Sequence, residues 1–247
     1  MMDAASGVQL KLSAQSIAEF YHDNFVADQV RDFAELVIDR GGSIGLVADV
    51  GGGCGYFVDA LQRRFGVVGR VLDSDSGSIQ VCRERGIDAM PFDALQPCFA
   101  GDERLVSFNL ILHHLVGNDE RATRALQVKA LAGWRGRADN IFVNEYIYES
   151  PAPRGFAARL IYEITSSRLL SAAASAISLV LPSLRANTFG VGVRFRTAQD
   201  WYTLFAEAGY RVAAHRRGER EPLSIPRRLM AISAIRRDSF LLVDADR

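Results

Sequence analysis

Surplus charge is missing from this sequence: 29 Lys and Arg residues face 29 Asp and Glu residues along 247 positions. A chain with no net field has nothing to hold a phosphate backbone over its surface. Nucleic acid is therefore not expected as the principal partner, and a small molecule is. Cysteine is scarce as well, with only Cys54, Cys82 and Cys98. Three thiols at these separations make neither a disulfide framework nor a zinc knuckle, so no metal is expected and a reducing cytoplasm suits the chain. Lysine is nearly absent, Lys11 and Lys129 being the only two among the basic residues; no mechanism follows from that skew. No uncharged apolar run reaches the roughly 18 residues that cross a bilayer, and the opening MMDAASGVQLKLS lacks the basic-then-apolar order of a secretion signal. These absences together predict a soluble cytoplasmic protein; monomer and homodimer both stay open.

What is present is 49% apolar composition and 21 glycines, enough for one large α/β domain with a built-in insertion. Apolar residues recur at helical spacing from Ser13 to Arg40 and stop at Gly41 and Gly42, which predicts one or two capping helices. Strand-like and helix-like segments then alternate: IGLVADV, FVDALQRRF, VVGRVLD, SIQVCRERG, AMPF, LVSFNLIL, ERATRALQVKALAGW and NIFVNEYIY. Such alternation predicts a parallel sheet covered on both faces. Past Pro151 and Pro153 the texture changes to a small-residue, apolar stretch ending in SAAASAISLVLP, which reads as inserted. TAQDWYTLFAEAGY then reads as a helix in which Thr197 caps, Asp200 reaches back and Gly209 stops; YRVAAHR and RRLMAISAIR read as strands. The expected divisions are a helical cap at 1–42, a cofactor-binding core at 43–150, a helical lid or insertion at 151–193, and a closing helix and strand pair at 194–247.

The most informative stretch is VADVGGGCGYF, where Asp49, Gly51, Gly53 and Gly55 lie between a buried strand and a helix start. Glycines there let a ligand rest against backbone amides at a helix N-terminus. The residue three after Gly53 is Tyr56, not glycine, so the dinucleotide spacing fails and NAD is the poorer reading. Asp73 ends the next strand, where an acid accepts two ribose hydroxyls. Counting back from Gly86 favours Asp73 over Asp75 for that task and leaves Asp75 as a helix cap. Asp93 ends the third strand and is placed to accept from an adenine amino group.

These residues resemble those of the class I S-adenosylmethionine-dependent methyltransferases, closely over about residues 44–148 and loosely over 194–236. ADVGGGCG is similar to the glycine motif, VLDSDSGSIQVCRERG to the second strand and helix, PFDAL to the adenine segment, and FNLILHHL to the fourth-strand motif. The departures are Arg104, where an acid usually opens the fourth strand, and WRGRADN in place of a Gly-Gly turn. GVGVRFRTAQDWYTLFAEAGY adds a likeness to the small-molecule O-methyltransferase branch. The resemblance implies a Rossmann-like, seven-stranded, mostly parallel sheet with helices on both faces and the last strand antiparallel, to which the apolar pattern adds the N-terminal helical cap and a helical insertion between strands 5 and 6. It implies S-adenosyl-L-methionine as cofactor and S-adenosyl-L-homocysteine as product. The cofactor would be held by Asp49, Gly51, Gly53, Gly55, Asp73, Ser74, Asp93, Ala94 and Asn109.

On the acceptor side His113, His114 and Glu145 are the candidates for catalysis. The histidines are also open to simple packing, and as adjacent residues at a strand end they point opposite ways, so at most one faces the site. Tyr21, Tyr146, Tyr148 and Arg194 are candidates for substrate contact, Tyr21 by covering a sulfonium and Arg194, with Arg196, by holding an anionic group. The expected activity is methyl transfer to a small, partly apolar metabolite, with oxygen favoured. Nitrogen or carbon acceptors, and a binding protein without catalysis, stay open.

Overall fold

Residues 23–41, 44–150, 193–229 and 231–247 are described by the computed structural model. Helix α1 (Asp23–Phe33) runs on into a π-helical turn at Ala34–Ile38 and precedes β1 (Leu46–Val50), α2 (Tyr56–Phe65), β2 (Gly69–Asp73), α3 (Ser76–Glu84), β3 (Asp88–Pro91) and β4 (Glu103–Asn109). After a 3-10 turn at Leu112–His114 come α4 (Glu120–Ala132), β5 (Asn140–Glu149), α5 (Ala198–Glu207), β6 (Tyr210–Arg216), a short α6 (Ile225–Leu229) and β7 (Ala234–Asp244). Tyr21, His22 and the expected insertion at 151–192 lie outside the described residues.

Helix starts follow side-chain chemistry. Asp75 accepts from the Ser78 amide at 2.8 Å and Asp119 from the Ala122 amide at 2.7 Å. Thr197 and Asp200 form the reciprocal capping box expected of them. Each such cap satisfies a backbone donor that the helix itself cannot.

The seven strands lie in the order β3-β2-β1-β4-β5-β7-β6. β1 to β5 run parallel to one another, and β7 runs antiparallel to both β5 and β6. The chain moves one way from β1 through β2 to β3 and the other way through β4 and β5. The crevice beyond the carboxyl ends of β1 and β4 is therefore the topological switch point. Apolar side chains fill both faces: Trp134, Trp201, Phe205 and Phe240 in the cluster with α4 and α5, and Phe33, Phe57 and Phe142 in the one with α1 and α2. Phe33 meets the rings of Phe57 and Phe142 edge-on at 5.6 and 5.2 Å.

Two expectations are corrected here. RRLMAISAIR is not a strand along its length, because β7 begins at Ala234 and its front part is α6. Ala234 pairs with Glu149, the last residue of β5, so among the described residues the chain before it has no neighbouring strand to complete its hydrogen bonds. The acid that opens β4 is Glu103, one residue before Arg104; it is buried and accepts from the amides of Ala100 and Gly101 at 2.9 and 2.7 Å.

Candidate functional site

The loop after β1 turns sharply through positive φ at Gly51 (69°), Gly53 (53°) and Gly55 (75°). Two of these glycines are required by the chain itself. A Cβ at Gly51 would stand 2.7 Å from Ile111, and one at Gly55 would stand 2.9 Å from Ile87 and 3.0 Å from Cys82. For both positions the close neighbour is an internal side chain, so the chain's own packing asks for glycine there whatever the loop binds. Gly51→Val should lower the thermal midpoint by several degrees through this clash and the left-handed backbone; an unchanged midpoint would contradict the packing.

Asp73 stands at the end of β2, partly exposed, with both carboxylate oxygens engaged. One accepts from the Gly53 amide at 2.9 Å and the other from the Asp75 amide at 2.8 Å. The roles of the two acids separate as expected: Asp75 caps α3 and Asp73 joins the glycine loop to the strand end. Ser74 beside it is exposed. The amide of Phe92 donates to the Asp73 carbonyl at 2.9 Å, bringing the ends of β2 and β3 together. Asp93, which follows, is exposed and accepts from the Leu95 amide at 2.8 Å, while Ala94 packs against the core.

Asp49 is buried beneath this loop and accepts from Ser107 Oγ at 2.7 Å and Asn109 Nδ2 at 2.9 Å. Burial pushes its carboxyl up to about 7, against the two hydrogen bonds that favour the charged form. The buried Oδ1 of Asn109 has no partner among the described residues, so an acceptor is left over at the strand edge. The shift at Asp49 fixes a sign. From the ordinary carboxylate range up to about pH 7 the folded chain keeps a proton that the unfolded chain has lost, so stability falls with rising pH and levels off above. Asp49→Asn should remove that slope, its stability gain over the native chain growing through this window in urea titrations; a gain that shrinks would contradict the assignment.

On the acceptor side, β4 ends at Asn109, so the histidines sit on the 3-10 turn and not on a strand. This corrects the expectation that they point opposite ways: their rings lie side by side with centroids 4.2 Å apart. His113 is buried, and its Nδ1 lies 2.7 Å from Oε2 of the fully buried Glu145. Oε1 of Glu145 accepts from the Leu112 amide at 2.7 Å. Glu145 is thus turned to the chain's own turn. His114 is held well below the usual imidazole range by burial and by the neighbouring His113.

Tyr146 and Tyr148 continue β5 past the end of β4. Tyr148 stacks on Phe195 at 4.2 Å, and Tyr146 stands edge-on to His113 at 5.9 Å. Burial pushes the phenol of Tyr146 up to about 12 and that of Tyr148 upward as well, so both stay protonated. Arg194 is corrected: its guanidinium is buried against Glu120, Nε to Oε2 at 2.6 Å, and Arg196 holds the other oxygen of the same carboxylate at 2.7 Å. The anion expected from a substrate is supplied within the chain. Phe195 was missed, although Val193 and Phe195 alternate with Arg194 and Arg196 at strand spacing, and Ile147 bridges to Arg196. A separate polar cavity of about 210 Å³ lies between α1, Asn144, Arg237 and the loop at 218–222. Its carboxylates Asp28 and Asp32 are already paired with Arg31, Arg237 and Arg216.

Among the described residues no cluster of His, Cys, Asp and Glu is placed to hold a metal, and no helix is long and apolar enough to cross a membrane.

No family model matches the chain, and neither does any curated protein. Solved structures do. A S-adenosylmethionine-dependent methyltransferase from Clostridium acetobutylicum ATCC 824 superposes with a TM-score of 0.57 at 10% identity, over 93% of this chain and 98% of that one. Magnesium protoporphyrin IX methyltransferase from Synechocystis PCC 6803, solved with bound SAH, gives 0.52 at 14% identity over 96% and 90%. The mitomycin 7-O-methyltransferase MmcR gives 0.55 at 14% identity over 90% of this chain and 53% of that one. The chain spans about half the length of MmcR and of LepI. The fold is that of the Rossmann-like S-adenosylmethionine-dependent methyltransferases.

Proposed function

We propose that the chain is an S-adenosylmethionine-dependent methyltransferase acting on a small metabolite, with a hydroxyl oxygen as the favoured acceptor. The carboxyl edge of β1, β2 and β4 suits the cofactor on two counts. Asp73 offers unused lone pairs to ribose hydroxyls beside the glycine loop, and the orphaned Oδ1 of Asn109 offers an acceptor to the amino-acid end. When bound, the cofactor supplies an electrophilic methyl group on a sulfonium and leaves as S-adenosylhomocysteine.

The oxygen preference is carried by one observation, the buried contact between His113 and Glu145. A carboxylate on Nδ1 fixes the tautomer with its proton there and leaves the Nε2 lone pair to accept one. A hydroxyl arrives protonated and needs such a base; an already neutral amine does not. Tyr146, Tyr148 and Phe195 would line an apolar seat for the rest of the acceptor. Much of the rate would come from alignment of acceptor and methyl, worth roughly 7 to 11 kcal/mol in favourable cases.

The test is turnover on a panel of small phenols, alcohols and amines, followed by S-adenosylhomocysteine release and by the mass of the product. Methylated phenol or alcohol supports the proposal. Methylated amine alone overturns the oxygen preference, and tight cofactor binding with no S-adenosylhomocysteine released for any acceptor on the panel favours a binding protein.

A further inference from the structure

The turn that carries His113 has only three residues, and its own hydrogen bonds are few: His114 amide to Ile111 carbonyl at 3.0 Å and Leu115 amide to Leu112 carbonyl at 3.1 Å. So short a helix does not fix its own orientation. It is held from outside on two sides. Glu145 takes the amide of Leu112, and Gln127 Nε2 donates to the Leu112 carbonyl at 2.9 Å. The amide of Arg194 donates to the His113 carbonyl at 2.9 Å.

Gln127 is fully buried on the inner face of α4, in a row with Thr123 and Leu131. A buried amide is tolerated only when both ends are bonded. Its orientation is dictated by its partners: the Arg196 Nε donates to Gln127 Oε1 at 2.8 Å and a guanidinium cannot accept, so Nε2 must face the Leu112 carbonyl. Arg196 is in turn set by Glu120 through Nη1 at 2.7 Å and by the face of Trp201. A continuous chain of contacts runs from Glu120 through Arg196 and Gln127 to the backbone of the histidine turn.

We propose that Gln127, oriented by Arg196, is a positioning residue that seats the His113 imidazole against Glu145. This inference rests on the reading of His113 as the base. Removing the donor at Leu112 leaves the turn held by Glu145 and by the Arg194 amide on the His113 carbonyl, which loosens it and opens the contact between Nδ1 and Oε2.

The chain has four histidines, which makes nitrogen NMR of the imidazoles in the full-length, ligand-free protein tractable. Gln127→Glu keeps an acceptor for Arg196 but, ionised, has no proton for the Leu112 carbonyl; Gln127→Leu removes both contacts. The expected result in each is at least tenfold faster solvent exchange of the His113 Nδ1 proton, with the signals of His215 unchanged. An unaltered His113 proton in Gln127→Glu overturns the positioning role, as does an equal disturbance at His215, which would report general loosening. If Gln127→Leu fails to fold, Gln127→Glu decides alone. The pH profile of methyl transfer separates the two claims: faster exchange with a profile identical to the native one upholds the positioning of His113 and removes its role as base.

Discussion

His113→Ala lowers methyl-transfer turnover by roughly 10² to 10⁴-fold while leaving cofactor affinity within twofold. The size follows from what a positioned base contributes, and the selectivity follows from place. His113 lies on the turn after β4 and contacts Glu145, Tyr146 and Phe195, whereas Asp73 and the glycine loop belong to β1 and β2. His114→Ala should cost only a few-fold, because that ring is kept neutral by burial and by its neighbour, with no carboxylate bonded to it among the described residues. Steady-state turnover beside a cofactor titration measures both. Full activity in His113→Ala would remove the base, and with it the argument for oxygen.

Asp73→Ala weakens S-adenosylhomocysteine binding at least tenfold, about 1.4 kcal/mol. Two contributions add here. The carboxylate would lose its bonds to ribose hydroxyls, and the free chain would also lose the bonds to the Gly53 and Asp75 amides that hold the loop in shape. Asp73→Asn separates them: one amide oxygen can still accept from Gly53, so its loss should be smaller than that of alanine. Because Asp73 is at the surface edge of the sheet and not in the apolar core, the thermal midpoint should move little. An unchanged isotherm in Asp73→Ala would refute the assignment.

The sheet was legible because strands and helices write different periods, and residues 44–148 keep those periods without interruption. Asp73 and Asp75 were separable because a helix cap lies at a countable distance from the helix end. What escaped the sequence depends on contacts between distant segments. The end of β4 is set by its pairing with β5, Asn109 against Asn144, and only that boundary turns His113 and His114 from strand residues into a 3-10 turn. Glu145 reads as an outward acceptor contact until the turn folds onto it. Arg194 reads as a free cation until Glu120, at the start of α4, occupies it. Glycine at 51 and 55 reflects crowding by Ile111 and Ile87, which no local pattern announces. β7 was misplaced because Arg236, Arg237 and Asp238 mask a strand whose charges are paired: the buried Arg236 with the buried Asp238 and with Glu149, and the half-buried Arg237 with Asp28.

The central claim is that the carboxyl edge of β1 and β2 receives an adenosine bearing a sulfur, with Asp73 on its ribose. Calorimetric titration of the full chain with S-adenosylhomocysteine, and separately with NAD, tests it most directly. Saturable one-to-one binding of S-adenosylhomocysteine with no heat from NAD is the predicted result; binding of NAD with no response to S-adenosylhomocysteine would contradict it.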